Sequence, residues 1–283
     1  MARQRKIANQ EFKQKTAVIC GGSKGIGRET AKKIARAGGS LCLIARGEEE
    51  LKAAVEEVKG LFVSDDQFVD WFACDTTDYD SLEPLLNNFV MKRGTPDYLI
   101  NVVGIAYPEY IQKLTFADFK QNMDVNYLGQ VAPTLIMLPH FIKAQKGHIV
   151  FFSSMLGFIG MMGYATYAPS KFALVGLAES VRHELKPHNI DVSVFYPPDT
   201  ETPGYEIENL TKPPEAAIIT ETAKIFTADK VAEAFISGLL KKRFHILMGE
   251  AYWIWPVAKI SPRLAFMILD RDYAKARKKL GKL

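Results

Sequence analysis

A phenol and an ammonium group one helical turn apart form the pairing in this sequence with the clearest potential for chemistry. The segment "YATYAPSK" at 164–171 holds two tyrosines, and Lys171 follows the second, Tyr167, after four positions. Residues four apart lie on one face of a helix, so Tyr167 and Lys171 project together, whereas Tyr164 has Ala168 at that position. A phenol is protonated at neutral pH, and a neighbouring ammonium lowers its pKa toward the working pH. Tyr167 is therefore predicted to be a proton donor.

Two serines precede this segment at the end of an apolar run. "HIVFF" at 148–152 is followed directly by Ser153 and Ser154. A hydroxyl at such a position can hold a carbonyl oxygen as it becomes an alkoxide, while Tyr167 supplies the proton. The Y-x-x-x-K spacing alone is frequent by chance on helices, so its interpretation depends on the elements that position it.

Those elements follow an alternating pattern. Short apolar runs are predicted to be strands, at 16–20, 41–45, 68–74, 97–101, 148–152, 191–196 and 244–248. Helices are predicted between them, near 25–38, 48–60, 79–93, 115–144, 168–185 and 228–241. Strands that are apolar throughout and separated by helices indicate a parallel sheet covered on both faces. The predicted fold is α/β, a doubly wound, Rossmann-like parallel sheet of seven strands, with ligands beyond the carboxyl ends of the strands.

A glycine-rich loop follows the first predicted strand and opens a helix. The loop reads "GGSKGIG", where the glycines permit a tight turn and the helix N-terminus offers free N–H groups to a phosphate. The G-x-x-x-G-x-G spacing is weak alone, but the strand–turn–helix setting favours nucleotide binding. The predicted phosphate-binding residues are Gly21, Ser23, Lys24, Gly25, Ile26 and Gly27.

The residues after the next strands bear on the choice of nucleotide. Arg46 stands at the end of the second strand, and Lys24 lies in the glycine loop. Two cations without an acid suit the 2′-phosphate of NADPH, so NADPH is favoured over NADH. Asp75 follows the third strand, where it can bind adenine or cap a helix. Asn101 and Gly104 follow the fourth strand, where they suit either a turn close to a cofactor or a plain turn.

Composition narrows the class of protein. The net charge of +4 over 283 residues is mild, and the basic residues concentrate at 3–6 and 277–279, so no nucleic-acid partner is expected. Those basic ends are interpreted as solvated termini or as sites of attraction to phosphate or acidic lipid. Cys20, Cys42 and Cys74 fall in predicted strands without C-x-x-C spacing, which indicates packed thiols in a reducing compartment. The histidines lack ligand spacing, so no metal is expected, and an apolar signal segment is not recognised at the N-terminus.

Taken in order, the motifs resemble the short-chain dehydrogenase/reductase family. The match runs from residue 16 to about 202 through "GGSKGIG", "CD", "NVVG", "DVNYLG", Ser154, "YAPSK" and "PPDTET". The resemblance implies Tyr167 as the acid/base and Lys171 on the ribose and the phenol. It also implies Ser154, thirteen residues before the tyrosine, as the partner of the substrate oxygen. The remaining implied roles are a proton relay through Asn126 and contacts to the cofactor from Pro197 and Thr202. Departures from the family pattern, among them Cys20 and Pro198, remove no reacting group.

Two segments bear on the substrate. "MLGFIGMMGYAT" carries no charge and borders the expected substrate site, although core packing is its commoner explanation. The connection at 197–226 is predicted to be long and irregular, and its part from 199 on is interpreted as a lid. An apolar pocket under a lid favours a lipid-like ketone. Asp199 or Glu201, where the lid begins, would suit a substrate ammonium.

The end of the chain is apolar, aromatic and basic. The segment 251–269 is interrupted by prolines and charges, so it is a poor membrane span. Trp253 and Trp255, followed by a basic helix, favour an interfacial anchor or a substrate-entry element, with an oligomer contact or a core cover as the alternative. We expect an NADPH-binding reductase domain over 1–250 and an extension over 251–283.

"PPDTETPG" together with this extension resembles the 3-ketodihydrosphingosine reductases. That resemblance implies reduction of 3-ketodihydrosphingosine to dihydrosphingosine with NADPH at a membrane surface. We also expect the protein at the cytoplasmic face of a membrane or in the cytoplasm, as a homodimer or homotetramer. Two alternatives remain. The protein is a reductase of another lipophilic ketone (steroid, retinoid or ketoacyl), or it is a non-catalytic NADPH-binding scaffold.

Overall fold

The computed structural model describes residues 11–221 and 223–282, so the basic residues at 3–6 lie outside the described part. Apolar runs form strands close to the predicted bounds. The strands are β1 (Thr16–Cys20), β2 (Ser40–Ala45), β3 (Val69–Ala73), β4 (Tyr98–Asn101), β5 (Gly147–Phe152), β6 (Ile190–Tyr196), β7 (Thr200–Glu201), β8 (Phe226–Thr227) and β9 (His245–Leu247). Within the described residues, β3-β2-β1-β4-β5-β6-β9 form one parallel sheet of seven strands, and β7 pairs with β8. The predicted doubly wound fold is confirmed.

The strands of the seven-stranded sheet are largely apolar because both faces of the sheet are covered. Neighbouring residues of one strand enter opposite core clusters, as Val18 and Ile19 do in β1 and Leu99 and Ile100 do in β4. This alternation follows from the two-residue period of a strand. The three cysteines are buried free thiols, as expected, and burial raises the pKa of each.

Helices cover both faces of the sheet. They are α1 (Gly25–Arg36), α2 (Glu48–Lys59), α3 (Tyr79–Arg93), α4 (Phe116–Met123), α5 (Gly129–Ala144), α6 (Tyr167–Leu185), α7 (Pro203–Thr211), α8 (Pro214–Thr220), α9 (Ala228–Leu239), α10 (Ala251–Ile260) and α11 (Pro262–Lys279). The single helix predicted at 115–144 is divided by a π-helical turn at Asp124–Leu128. π-turns inside helices often mark functional sites.

The prediction of an irregular connection at 197–226 is wrong, because it contains α7 and α8. The Thr202 hydroxyl accepts a hydrogen bond from the Tyr205 N–H at 3.1 Å and so caps α7, with Pro203 in its first turn. Pro214 likewise occupies the first turn of α8. Proline breaks a helix interior but favours a first turn, so both prolines are compatible with helix starts here.

The C-terminal extension forms α10 and α11, which lie against the lid. α11 packs on α8, and Ala251 and Ala265 enter the core. Lys282 Nζ donates to Glu215 Oε1 at 2.8 Å, which ties the end of the chain to α8. None of the helices in the described ranges has the length and apolar character needed to cross a membrane.

Candidate active site

A cavity of about 960 Å³ opens at the carboxyl ends of the central strands. The glycine loop and the ends of β2, β4 and β5 form one side, and the lid helices together with α10 and α11 form the other. The predicted site residues on its wall are Gly21, Ser23, Lys24, Gly25, Ile26, Arg46, Asp75, Gly104, Ser154, Tyr167, Lys171, Pro197 and Thr202. Gly27, Asn101 and Asn126 lie behind the wall and support it.

Tyr167 and Lys171 share one face of α6, as their spacing predicts. Lys171 Nζ lies 5.5 Å from the centre of the Tyr167 ring and donates a hydrogen bond to the Phe152 carbonyl at 2.9 Å. Lys171 is buried, and burial lowers its pKa to about 7 because the charged form loses solvation. The lysine thus reaches across from α6 to the end of β5.

The electrostatic environment of Tyr167 differs from the expectation based on the lysine alone. Loss of solvation and the Glu208 carboxylate raise the pKa of the phenol, a hydrogen bond with Ser154 lowers it, and Asp199 raises it further. The net direction is upward, so the lowering by an ammonium expected from the sequence is wrong for this structure. A raised pKa keeps the phenol protonated at neutral pH, which suits a proton donor.

The two serines at the end of β5 have different partners. Ser153 is buried, and its hydroxyl donates to the Lys171 carbonyl at 2.8 Å, which anchors α6 to the strand. Ser154 Oγ accepts from the Leu156 N–H at 3.1 Å, and this contact leaves the hydroxyl proton available for donation. Hydrogen bonding with Ser154 lowers the pKa of Tyr167, which places the two predicted reacting groups beside each other.

The glycine loop has the backbone geometry of a phosphate cradle. Gly21 and Gly25 adopt positive φ angles of 89° and 52°, which are unfavourable for residues that carry a side chain. A Cβ on Gly27 would lie 2.1 Å from the Gly21 carbonyl oxygen, so this glycine allows the helix to approach the turn. The Lys24 side chain does not cap α1, and the first N–H groups of the helix therefore remain available to a phosphate. These residues fit a dinucleotide.

The first turn of α2, shortly after β2, holds an acid that sequence analysis missed. Arg46 is 70% exposed, with Nη1 3.8 Å from Asp75 Oδ2, whereas Lys24 Nζ pairs with Glu50 Oε1 at 2.9 Å. Glu50 lies one turn into α2 on the cavity wall, so the expectation of two cations with no acid is wrong. The three consecutive acids of the run "GEEE" after Arg46 were the signal that could have indicated an acid near the loop.

Asp75 forms a turn and does not cap a helix. Its Oδ1 accepts from the Thr77 N–H and from the Thr77 hydroxyl, both at 2.9 Å, while Asp78 caps α3 through the Ser81 N–H. Of the two alternatives left by the sequence, the helix cap is therefore wrong. Asp75 remains on the cavity wall, and adenine binding there stays a prediction.

Asn101 and Gly104 have different positions at the end of β4. Asn101 is fully buried, and its Nδ2 donates to Thr134 Oγ1 at 3.2 Å in α5, away from the cavity. Gly104 lies on the wall, where a Cβ would be 2.9 Å from Lys171 Nζ. Gly104 therefore makes room for the lysine, and Asn101 positions the strand.

Asn126 lies in the π-turn and joins three parts of the site. Its Oδ1 accepts from the Ile105 N–H at 2.7 Å, and its Nδ2 donates to the Ile105 carbonyl and to Ser170 Oγ, both at 2.9 Å. The asparagine thereby holds the loop after β4 against α6. A role in a proton relay stays a prediction.

Comparison with known proteins identifies the family to which this arrangement belongs. Residues 15–212 match the family described as short chain dehydrogenase. The chain belongs to the short-chain dehydrogenase family.

A 3-dehydrosphinganine reductase from Danio rerio is 39% identical over 233 residues, which cover 82% of this chain and 70% of the relative. A 3-ketodihydrosphingosine reductase from Dictyostelium discoideum is 37% identical over 250 residues, which cover 83% of this chain and 75% of the relative. Both resemblances inferred from the motifs are confirmed.

Solved structures of short-chain dehydrogenases have the same fold. Levodione reductase matches with a TM-score of 0.76 at 23% identity, over 86% of this chain and 98% of that one. A short chain dehydrogenase from Mycobacterium paratuberculosis bound to NAD has a TM-score of 0.75 at 21% identity, over 86% and 100%. At these identities the likeness concerns the fold alone.

Sequence analysis of this short-chain dehydrogenase missed part of the far wall. Glu208 on α7 accepts a hydrogen bond from the Tyr164 hydroxyl at 2.5 Å, so Tyr164 belongs to the wall as expected, but its partner was not foreseen. The extension also lines the cavity, through Ile254, Val257, Ala265, Ile268 and Leu269. Their spacing of three or four residues within each helix is the helical pattern that a prediction could have used.

Proposed function

We propose that this short-chain dehydrogenase reduces 3-ketodihydrosphingosine to dihydrosphingosine with NADPH. The observation that carries the proposal is the cluster of Ser154, Tyr167 and Lys171 on the wall of a cavity whose outer side is formed largely by apolar residues of the lid, α10 and α11. Relatives named for this activity are 36–39% identical to the chain. A proton donor beside a phosphate cradle supports a ketoreductase, and the apolar outer wall supports a lipid as its substrate.

The reacting groups have separate tasks in this proposal. When bound, NADPH supplies a hydride to the carbonyl carbon. Tyr167 donates its proton to the carbonyl oxygen, and Ser154 donates a hydrogen bond to that oxygen as negative charge develops. Lys171 supports Tyr167 from one turn along α6 and holds the end of β5 through the Phe152 carbonyl. The Pro197–Thr202 segment, whose Thr202 lies against Gly25 of the phosphate loop, would hold the nicotinamide end.

Assay of the purified chain with 3-ketodihydrosphingosine tests the proposal. NADPH oxidation is followed by absorbance, and dihydrosphingosine is identified by mass spectrometry. Turnover of a steroid, retinoid or ketoacyl substrate in its place would favour one of the alternative reductases. Binding of NADPH without turnover of any ketone would favour the non-catalytic scaffold.

Arg46→Ala should weaken NADPH binding about tenfold or more and leave NADH binding nearly unchanged. A charge-assisted hydrogen bond to the 2′-phosphate contributes roughly 1.5–3 kcal/mol, and 1.4 kcal/mol corresponds to tenfold. Dissociation constants from nucleotide fluorescence measure the effect, with Arg36→Ala, an exposed change at the end of α1, as the control. Equal affinity of the unmodified protein for NADPH and NADH would contradict the predicted preference for NADPH. The pairing of Glu50 with Lys24 would then explain why Lys24 does not favour the 2′-phosphate.

We further propose that α10 and α11 contact a membrane surface on its cytoplasmic side, where the substrate would enter. Apolar side chains of these helices face solvent, with Ile260 84% and Met267 67% exposed, and Arg277, Lys278 and Lys279 close the last turn of α11. An apolar face with a basic end is typical of helices that lie in a lipid interface. None of these five residues lies on the cavity wall.

Replacing Ile260, Phe266 and Met267 together by serine should lower binding to phosphatidylserine vesicles at least tenfold. Each apolar side chain removed from the interface loses up to about 1.5–3 kcal/mol of burial. Vesicle co-sedimentation measures the effect, and high salt should weaken the binding of the unmodified protein. Serine at Met91 and Phe116, which are also apolar and exposed but lie on other helices, is the matched control. If the unmodified protein does not bind vesicles and the triple variant has a different oligomeric state, the alternative of a subunit contact is favoured.

A further inference from the structure

The wall around Tyr167 carries two carboxylates with different hydrogen-bonding states. Glu208 already has partners within the protein, since its Oε1 accepts from the Tyr164 hydroxyl at 2.5 Å and pairs with Lys212 Nζ at 3.2 Å. Asp199, which follows β6, also lies on the cavity wall. Its Oδ2 is buried and has no hydrogen-bond partner in the part of the chain that the structure describes. A buried carboxylate oxygen without a donor is costly, and binding of a ligand that donates to it removes that cost.

The charges around Asp199 favour a cation. Burial raises the pKa of Asp199, Glu208 and Glu250 raise it further, and Lys212 acts in the opposite direction. Asp199, Glu208 and Glu250 all line the cavity, and Lys212 is already paired with Glu208. Among the charges that act on Asp199, the carboxylates of Glu208 and Glu250 therefore outnumber the ammonium of Lys212, and the surroundings of Asp199 carry an excess of negative charge.

The position of Asp199 relative to the reacting phenol defines what it would meet. Asp199 and Glu208 both raise the pKa of Tyr167, so their charges lie close to the phenol. A carbonyl oxygen that accepts the Tyr167 proton must lie within hydrogen-bond reach of it. The substituent on the carbon next to that carbonyl is then brought to the acidic part of the wall.

We propose that Asp199, beside Glu208, binds the ammonium group that a 2-amino-3-ketone carries next to its carbonyl, and thereby selects amino-ketones over neutral ketones. This inference rests on the proposed reduction of 3-ketodihydrosphingosine. An ammonium has three donors and matches an acceptor-only carboxylate, whereas a neutral ketone leaves Asp199 unpaired. Glu201, the other candidate from the sequence, is exposed on β7 and does not lie on the wall. The structure thus assigns the selection to Asp199.

Binding of two ligands that differ only in the amine tests this assignment. Dihydrosphingosine and octadecane-1,3-diol, delivered from cyclodextrin, are compared by isothermal titration calorimetry on the full chain. The unmodified protein should prefer the amine by about tenfold or more, as expected for a charge-assisted hydrogen bond. Asp199→Asn, which keeps the size of the side chain, should reduce the preference to about twofold or less. Glu201→Gln, the matched control, should leave it unchanged.

The outcomes separate this inference from the proposed function. An unmodified protein without preference for the amine, a result that requires no variant to fold, would overturn the role of Asp199. A preference that survives Asp199→Asn would do the same. Preference for the amine that depends on Asp199, in a protein that does not reduce 3-ketodihydrosphingosine, would uphold the ammonium site and overturn the proposed reaction. Turnover without any amine preference would leave the reductase and remove the site.

Discussion

Tyr167→Phe should lower kcat for reduction by about 10²–10⁴-fold and leave cofactor binding intact. The change keeps the ring and its contacts but removes the proton that the developing alkoxide needs, and general acid catalysis contributes about this factor. Because the pKa of the phenol is raised, it is protonated across the neutral range, which favours reduction. The reverse oxidation needs the phenolate, so its rate should rise with pH through the alkaline range. Steady-state rates in both directions and nucleotide titrations measure these effects.

Tyr164→Phe is the matched control for this prediction. It removes a hydroxyl from the same wall, and the two rings pack edge to face with centres 6.1 Å apart. The lost hydrogen bond to Glu208 is expected to change kcat by less than about tenfold, because Glu208 retains Lys212 as a partner. A large loss in Tyr164→Phe with a mild one in Tyr167→Phe would transfer the role of proton donor to Tyr164.

Lengthening the alkyl chain of a 2-amino-3-ketone should raise kcat/KM by orders of magnitude until the cavity is filled. Each methylene removed from water contributes about 0.8 kcal/mol, which corresponds to roughly fourfold, so four methylenes give about two orders of magnitude. The uncharged segment after Ser154 and the apolar residues of α10 and α11 provide the surface that such a chain would cover. Initial rates across a series from short to C18 chains, with NADPH held in excess, measure the slope.

The same series includes its own control. The amino-ketone head is identical throughout, so the chemistry at Tyr167 is constant and only burial varies. A flat dependence on chain length would show that the cavity of about 960 Å³ does not hold the chain. A steroid ketone reduced faster than every long-chain amino-ketone would overturn the substrate while leaving the reductase fold unaffected.

The backbone of the site was predictable because it depends on local patterns. The four-residue spacing of Tyr167 and Lys171 requires a helix to bring them together, and α6 begins at Tyr167. The glycines at 21, 25 and 27 stand where a strand turns into a helix, and the structure gives two of them positive φ angles. Both patterns use periods of a few residues, which the sequence displays directly.

Contacts between distant segments could not be predicted in this way. Lys24 meets Glu50 and Tyr164 meets Glu208 because separate elements converge at one edge of the sheet. From the sequence, Asn101 at the end of a strand was compatible with a cofactor contact or with a turn. The structure instead shows its side chain hydrogen-bonded to Thr134 in α5. The lid was predicted to be irregular, whereas Pro203 and Pro214 stand in the first turns of α7 and α8, where proline favours a helix.

The amino-acid sequence by itself determined the seven strands of the main sheet with the helices between most of them, the glycine loop and the identity of the groups that can move a proton. It did so because hydrophobic period, glycine placement and residue chemistry are properties of neighbouring residues. Only the tertiary structure decided the direction in which the pKa of Tyr167 shifts and the assignment of α10 and α11 to the cavity wall. It also decided that Asp199, and not Glu201, lies there. A pKa and a pocket wall depend on burial and on charges brought together from distant parts of the chain, which come into existence only when the chain folds.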